Sequence, residues 1–170
     1  MTSSTLTTLP LFPLGSVLYP GGLMPLRIFE VRYLHMISEA HKAGSPFGVV
    51  ALTQGSEVRM AGADAERFAT IGTLAQIRRF EAPQPALLHI ECTGTQRFRI
   101  RSSTQQKNGL WTAEVEWLDD DVPLAVPDDL AHVSQALKRL VDTLEARRAA
   151  EGHDHMRPPV AQPYRFDDWG

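Results

Sequence analysis

The chain has 170 residues, 43% of them apolar, a formal net charge of −3 and a single cysteine. This length forms one domain with at most a small appendage, and it buries a core without disulfides or metal. The slightly negative charge excludes a global basic field for nucleic acid or anionic membrane, and the lone Cys92 excludes an intrachain disulfide, which suits a reducing cytoplasm.

Residues 1–8, MTSSTLTT, lack the basic start and long apolar run of a signal peptide and read as a disordered tail. No apolar run approaches the roughly 18 residues of a membrane span. The segment Leu9–Tyr33, LPLFPLGSVLYPGGLMPLRIFEVRY, sets four prolines and three glycines among short apolar runs. Proline fixes φ and lacks a backbone donor, and glycine supplies positive φ, so this is neither one long helix nor an uninterrupted central strand. It predicts short extended pieces with the sharpest turn at Pro20-Gly21-Gly22, and its apolar side chains need a core to enter.

Glu30–Ala43 then reads as a helix. Leu34, Ile37 and His41, with Tyr33, Met36 and Ala40, form its stripe, Glu30 favours the positive end of the dipole, and Gly44 holds the C′ position. Phe47–Leu52 is a short strand ending at Gln54-Gly55-Ser56, and Ala61–Glu66 reads as a surface loop. From Phe68 to Leu118 the period is two residues. Thr70–Phe80 forms one strand, closed by a Pro83-Gln84-Pro85 turn. On the next, Leu88, Ile90 and Cys92 share a face opposite His89 and Glu91. Further on, Phe98 and Ile100 point inward and Arg97, Arg99 and Arg101 outward, while Trp111, Ala113, Val115 and Trp117 point inward and Glu114 and Glu116 outward. Consecutive antiparallel strands with one wet face give this alternation, and several in a row form a curled sheet or partly closed barrel. Residues 120–127 read as a connector. A C-terminal helix follows over 128–151, N-capped by Asp128 or Asp129, with a heptad-like stripe of Leu130, Val133, Leu137, Leu140 and Leu144. Residues 152–170 read as loop and tail, ending abruptly in Tyr164-Arg165-Phe166-Asp167-Asp168-Trp169-Gly170 as a natural short form or a truncation.

Four blocks, in order, carry a resemblance to a known family. They are Leu9–Leu14 with Val17, Pro20-Gly21, Pro25-Leu26, Ile28-Phe29-Glu30 and Arg32-Tyr33; Phe47–Val50; Ile71–Ile77; and Gly94–Ile100. Over residues 9–119 the chain resembles the N-terminal substrate-recognition domain of Lon-type ATP-dependent proteases, which also occurs as a free-standing bacterial protein. The resemblance implies a PUA-like fold: an α+β, mainly antiparallel pseudobarrel with an early inserted helix and a C-terminal helix. It marks Pro20, Gly21, Pro25, Leu26, Glu30, Arg32, Tyr33, Gly72, Gly94, Arg97 and Phe98 as structural motif positions.

Catalytic motifs are sparse. The sequence has no Gly-Lys pair and so no P-loop, and no GxSxG elbow. The resemblance therefore carries over no ATPase or peptidase activity. Cys92 lies on the apolar side of a strand, which argues for burial rather than activation. His153-Asp154-His155 is half a metal site at best, and Asp119–Asp121 lacks the glycine and terminal glutamate of a calcium loop. No cofactor is implied.

The outward arginines permit two readings. As a basic row, Arg97, Arg99 and Arg101 would bind RNA or an acidic peptide. As a cross-strand ladder against Glu114 and Glu116, they would largely cancel their own field, and no outer-face aromatics interleave them as single-strand platforms require. Arg27, Glu30 and Arg32 either line a recognition surface or tie the opening segment to the first helix through carboxylate–guanidinium bonds. Leu23, Met24 and Phe29 form either a partner groove or ordinary core. The expectation is a non-enzymatic, cytoplasmic protein-binding module for unfolded or degron-bearing clients or a proteolysis partner. Arg97, Arg99, Arg101, Arg27 and Met24 are its candidate contacts, homodimerisation through the heptad stripe and Trp169 is open, and RNA binding is the alternative.

Overall fold

The prolines of the opening segment decide where its strands lie. In the computed structural model, which describes residues 6–57, 66–151 and 168–169, strand β1 spans Thr7–Leu14. Its first half, Thr7–Leu11, pairs antiparallel with β6 (Trp111–Trp117), and its second half, Leu11–Leu14, pairs parallel with β3 (Phe47–Gln54). Pro10 and Pro13 thus fall where only one neighbour is in register, so neither missing N–H interrupts a ladder on both sides. Thr7 and Thr8, expected in a tail, are already in the strand, opposite Val115 and Glu114. The parallel pair departs from the antiparallel expectation. Strand β2 (Leu23–Ile28) and helix α1 (Val31–Ala43) intervene between β1 and β3 and act as the crossover that parallel strands need.

Strands β4 (Arg67–Gln84) and β5 (Leu87–Gln105) form the longest hairpin. The turn lies at Pro85-Ala86 rather than across Pro83–Pro85: Gln84 pairs with Leu87, and Ala86 takes φ 59°, a conformation the periodicity could not signal. The sheet order is β2-β5-β4-β3-β1-β6 with β5 also paired to β6, so the curled mixed sheet closes on itself and β2 remains at its edge.

Period-two alternation feeds two cores. Phe12, Leu14, Phe47 and Val49 join Ile28, Tyr33, Met36, Ile37, Ile90 and Cys92 in one. Their neighbours Leu11 and Val50 join Leu74, Phe98, Ala113 and Val115 in the other. The sequence blocks meet in the second core. The Phe98 ring lies against Gly48 and Gly72, where an added Cβ would approach ring carbon Cζ to 2.7 and 2.5 Å. Gly94 packs as tightly on the Tyr19 carbonyl, and its N–H donates to Gly22 O at 2.9 Å while its carbonyl accepts from Gly21 N at 2.9 Å. Only residues without a side chain allow these approaches. Helix α1 ends as expected, with Gly44 in the left-handed region at φ 63° and its N–H on the last carbonyls. Glu30 sits at the N-cap position but makes no side-chain cap bond, because its carboxylate is drawn to Arg32.

The contacts divide the chain into two units that meet between Asp119 and Asp120. The second contains β7 (Leu124–Ala125), paired with β8 (Asp168–Trp169), a 3-10 turn over Asp128–Leu130, and helix α2 (Ala131–Glu151). The short sheet was not expected within a connector. Pro127 rather than an aspartate precedes the 3-10 turn, and no side chain caps it. On α2, Val133, Leu137, Leu140 and Leu144 are all exposed. The expected tail over 1–5, the loop residues 61–65, the linker over 152–163 with His153-Asp154-His155, and Phe166 lie outside the described residues.

Candidate functional site

Two polar and apolar constellations meet where β2 runs into α1. The first is built on Arg32, whose side chain is only 5% exposed. A buried guanidinium must have its donors engaged. Arg32 Nη2 donates to Glu66 Oε1 at 3.0 Å, Nε to Glu30 Oε2 at 3.2 Å, and Nη1 to the Gly109 carbonyl at 2.8 Å. Trp111 Nε1 then donates to the second Glu66 oxygen at 2.7 Å. The guanidinium carbon lies 4.5 Å from the centre of the Tyr33 ring, which stacks on Phe12 at 4.1 Å. Burial opposes the Arg32 charge, but the Glu66 hydrogen bond and the surrounding negative groups outweigh it and raise its pKa. The same burial pushes the Tyr33 hydroxyl well above its usual value. These bonds tie the start of α1 to the start of β4 and the turn before β6, so the cluster is a clamp.

The second constellation is a groove of about 360 Å³ beside the clamp. Phe12, Leu14 and Tyr33 form its floor with Met24, and Ser16 and Glu57 also line it. Glu57 accepts a 2.5 Å bond from Gly15 N–H. Its β2 side is bordered by every residue from Met24 to Glu30. Phe29, 52% exposed, is part of this wall, and Val31 beside it in sequence is 81% exposed. The apolar lining, with an exposed Phe29 among it and the polar Ser16, Arg27, Glu30 and Glu57 around it, suits contact with a polypeptide segment better than bond-making chemistry. Among the described residues no group of three or more His, Cys, Asp or Glu could hold a metal ion. Cys92 is fully buried, and desolvation pushes its thiol up to about 12.

Arg27 and Met24 both line the groove, but Arg27 is exposed and apart from the clamp formed by Glu30 and Arg32. The row Arg97, Arg99 and Arg101 lies on β5, in a different set of contacts. Arg101 pairs with Glu116, Arg99 stands opposite Glu116 in the register, and Arg97 Nη2 donates to the Asp119 carbonyl at 3.3 Å. Glu114 instead accepts from Thr8 Oγ1 at 2.5 Å, because a register shift between Ile100 and Ser102 carries it past the arginines. Of the motif positions, Pro25 and Leu26 lie in β2, and Gly72, Gly94 and Phe98 form the close contacts described above.

Sequence reasoning missed Glu66. The sequence pattern puts it in a surface loop, yet its side chain is 9% exposed and takes part in two of the clamp's bonds. The only available signal was Arg32 itself, a charge between apolar residues on a core-facing stripe that must find a carboxylate somewhere.

Residues 8–164 match the family model of the ATP-dependent protease La (LON) substrate-binding domain. The chain belongs to this family. It is similar to the Lon N-terminal domain protein from Xanthomonas campestris, with 34% identity and a TM-score of 0.65 over 79% of this chain and 73% of that one. It shares its fold with the N-terminal domain of Mycobacterium avium complex Lon protease, at 16% identity and a TM-score of 0.55, over 88% of this chain and 74% of that one. It is also 28% identical over 167 residues to protein cereblon of Danio rerio, covering 92% of this chain. The chain spans 35% of the length of that relative. The Lon substrate-binding domain is a non-catalytic substrate-recognition module, and the mostly-β fold with two helices matches the solved Lon N-terminal domains. No helix among the described residues is long and apolar enough to cross a membrane.

Proposed function

We propose that this chain is a receptor for unfolded or degron-bearing polypeptide segments, or for a protein partner in proteolysis, and that it acts without catalysing a reaction. The observation that carries this reading is the groove between β2 and the floor of Phe12, Leu14 and Tyr33, with the exposed Phe29 at its wall. An open groove lined mainly by apolar side chains, with charged groups Arg27, Glu30 and Glu57 also in its lining, favours loose selection of apolar side chains over recognition of one small molecule. The arginine row lends little to RNA binding, since Arg101 is engaged with Glu116 and Arg97 with the Asp119 carbonyl.

The test is binding of reduced, carboxymethylated α-lactalbumin by the full chain, set against the native form. We expect the unfolded form alone to bind. Phe29→Ser, a surface change that spares the core, should weaken binding about ten-fold through lost apolar burial. Equal capture of both forms, or of neither, would dismiss the receptor reading.

A further inference from the structure

Among the described residues, strand β2 is hydrogen-bonded on one side only. It ends the sheet order, and its register runs along β5 from Leu23↔Thr93 to Ile28↔Leu88. Met24, Leu26 and Ile28 pack on the core, so Leu23, Pro25 and Arg27 take the other face. Pro25 has no N–H, and its ring cannot sit against a paired strand, so its nitrogen must face away from β5. In-plane direction alternates along an antiparallel pair. The N–H groups of Leu23 and Arg27, and the carbonyls of Leu23, Pro25 and Arg27, therefore point to the free edge.

The groove follows that edge. It is bordered by the unbroken run from Met24 to Glu30. Successive side chains of a strand point to opposite faces, so consecutive residues border one cavity only where it runs along the strand's edge. Arg27 borders the groove from β2, is exposed and makes no ion pair among the described residues, so its charge is open to an acidic side chain; the Glu57 carboxylate, also in the lining, accepts from Gly15 N–H.

We infer that β2 binds an extended polypeptide as an added strand. Alternate apolar side chains of that segment turn into the groove toward Phe12, Leu14 and Tyr33, and an acidic side chain on the opposite face meets Arg27. This rests on the receptor reading and specifies its geometry: main-chain bonds give affinity, and alternate side chains give selectivity. A second copy of β2 is a poorer occupant, because pairing about Pro25 opposes two positions that both lack an N–H.

The test uses the 15N-labelled full chain and nine-residue peptides that alternate leucine with aspartate or leucine with lysine. The aspartate peptide should bind at least about ten-fold more tightly, and Arg27→Glu should reverse the preference. Amide shifts should concentrate at Leu23–Arg27. N-methylation of one alternate set of peptide amides should weaken binding about ten-fold or more, and methylation of the other set should leave it unchanged. Indifference to both methylations, shifts located elsewhere, or Leu23 and Arg27 amides already protected from exchange in the free chain would each overturn strand addition. Unfolded α-lactalbumin provides the separation from the receptor reading. Client binding that excess aspartate peptide does not compete would overturn strand addition and leave the receptor standing. Peptide binding without client capture would do the reverse.

Discussion

Replacing Arg32 by methionine tests the clamp most directly. The substitution keeps an unbranched side chain of similar reach and removes only the guanidinium. It leaves the Glu66 carboxylate, 9% exposed, with the Trp111 donor as its remaining partner, and it strips the Gly109 carbonyl of its bond. Removing one partner of a buried pair costs about 3–5 kcal/mol. Glu30 is 20% exposed and can turn toward water, and Trp111 Nε1–H still holds Glu66, so the lower end applies. The lost contact with the Tyr33 ring adds about 0.5–1 kcal/mol. The expected cost is therefore about 3–4 kcal/mol, a large part of the total stability of a domain this size. Glu66→Gln keeps an acceptor for Trp111 and loses the charge, and should cost about 1.5–2 kcal/mol. Because the two share one interaction, the double variant should cost about 1.5–2 kcal/mol less than the sum of the singles. Urea unfolding followed by both tryptophan fluorescence and far-UV circular dichroism measures all three. An Arg32→Met cost under about 1 kcal/mol, or strict additivity in the double variant, would refute the clamp.

Gly94→Ala should destabilise by about 2–3 kcal/mol, since the new methyl meets the Tyr19 carbonyl, which is backbone and cannot swing aside; an unchanged urea midpoint would contradict this. Alkali offers a test of Cys92. Its folded pKa is pushed up to about 12 from an ordinary 9.0, so its contribution is fully present below pH 9 and is lost as pH rises toward 12. Burial raises Tyr33 in the same direction, so the domain should lose stability steeply above about pH 9, and Cys92→Ala should flatten that loss. At pH 8 the native thiol should react with a disulfide reagent at least about a hundred-fold more slowly than in urea, and comparable rates would show an accessible cysteine.

Much of the fold was legible because period-two alternation reports directly on a sheet with one side buried. The boundaries Trp111–Trp117 and the inward set Leu88, Ile90 and Cys92 follow from it, and Gly44 closes α1 for a local backbone reason. Features decided by distant contacts were not legible. That β1 would divide its pairing between β6 and β3, placing Pro10 and Pro13 each beside a single partner, depends on strands about a hundred and about forty residues away. The shift that carries Glu114 past the arginines is a single-residue irregularity in β5, invisible to an alternation pattern. Arg27 and Arg32 look alike in sequence. Their separation into a clamp and a groove lining is set by which face each backbone position presents, and by Glu66 arriving from elsewhere.

Arg27 and Arg32 show what separates structure from function here. Each of the three guanidinium nitrogens of Arg32 donates to a fixed protein partner, so little is left for a ligand and the fold loses greatly without it. Arg27 stands exposed on a strand whose outer edge has no strand partner among the described residues, so its field is available and its removal should leave stability nearly untouched. Pro25, just ahead of Arg27 on β2, sets the character of this edge. By lacking an N–H at the centre of the edge it limits any added strand to an incomplete ladder, which guards against indiscriminate sheet growth. Under strand addition the remaining main-chain bonds hold the visitor and the groove sorts its side chains, so a receptor built this way would select a pattern of apolar and acidic residues rather than one defined sequence.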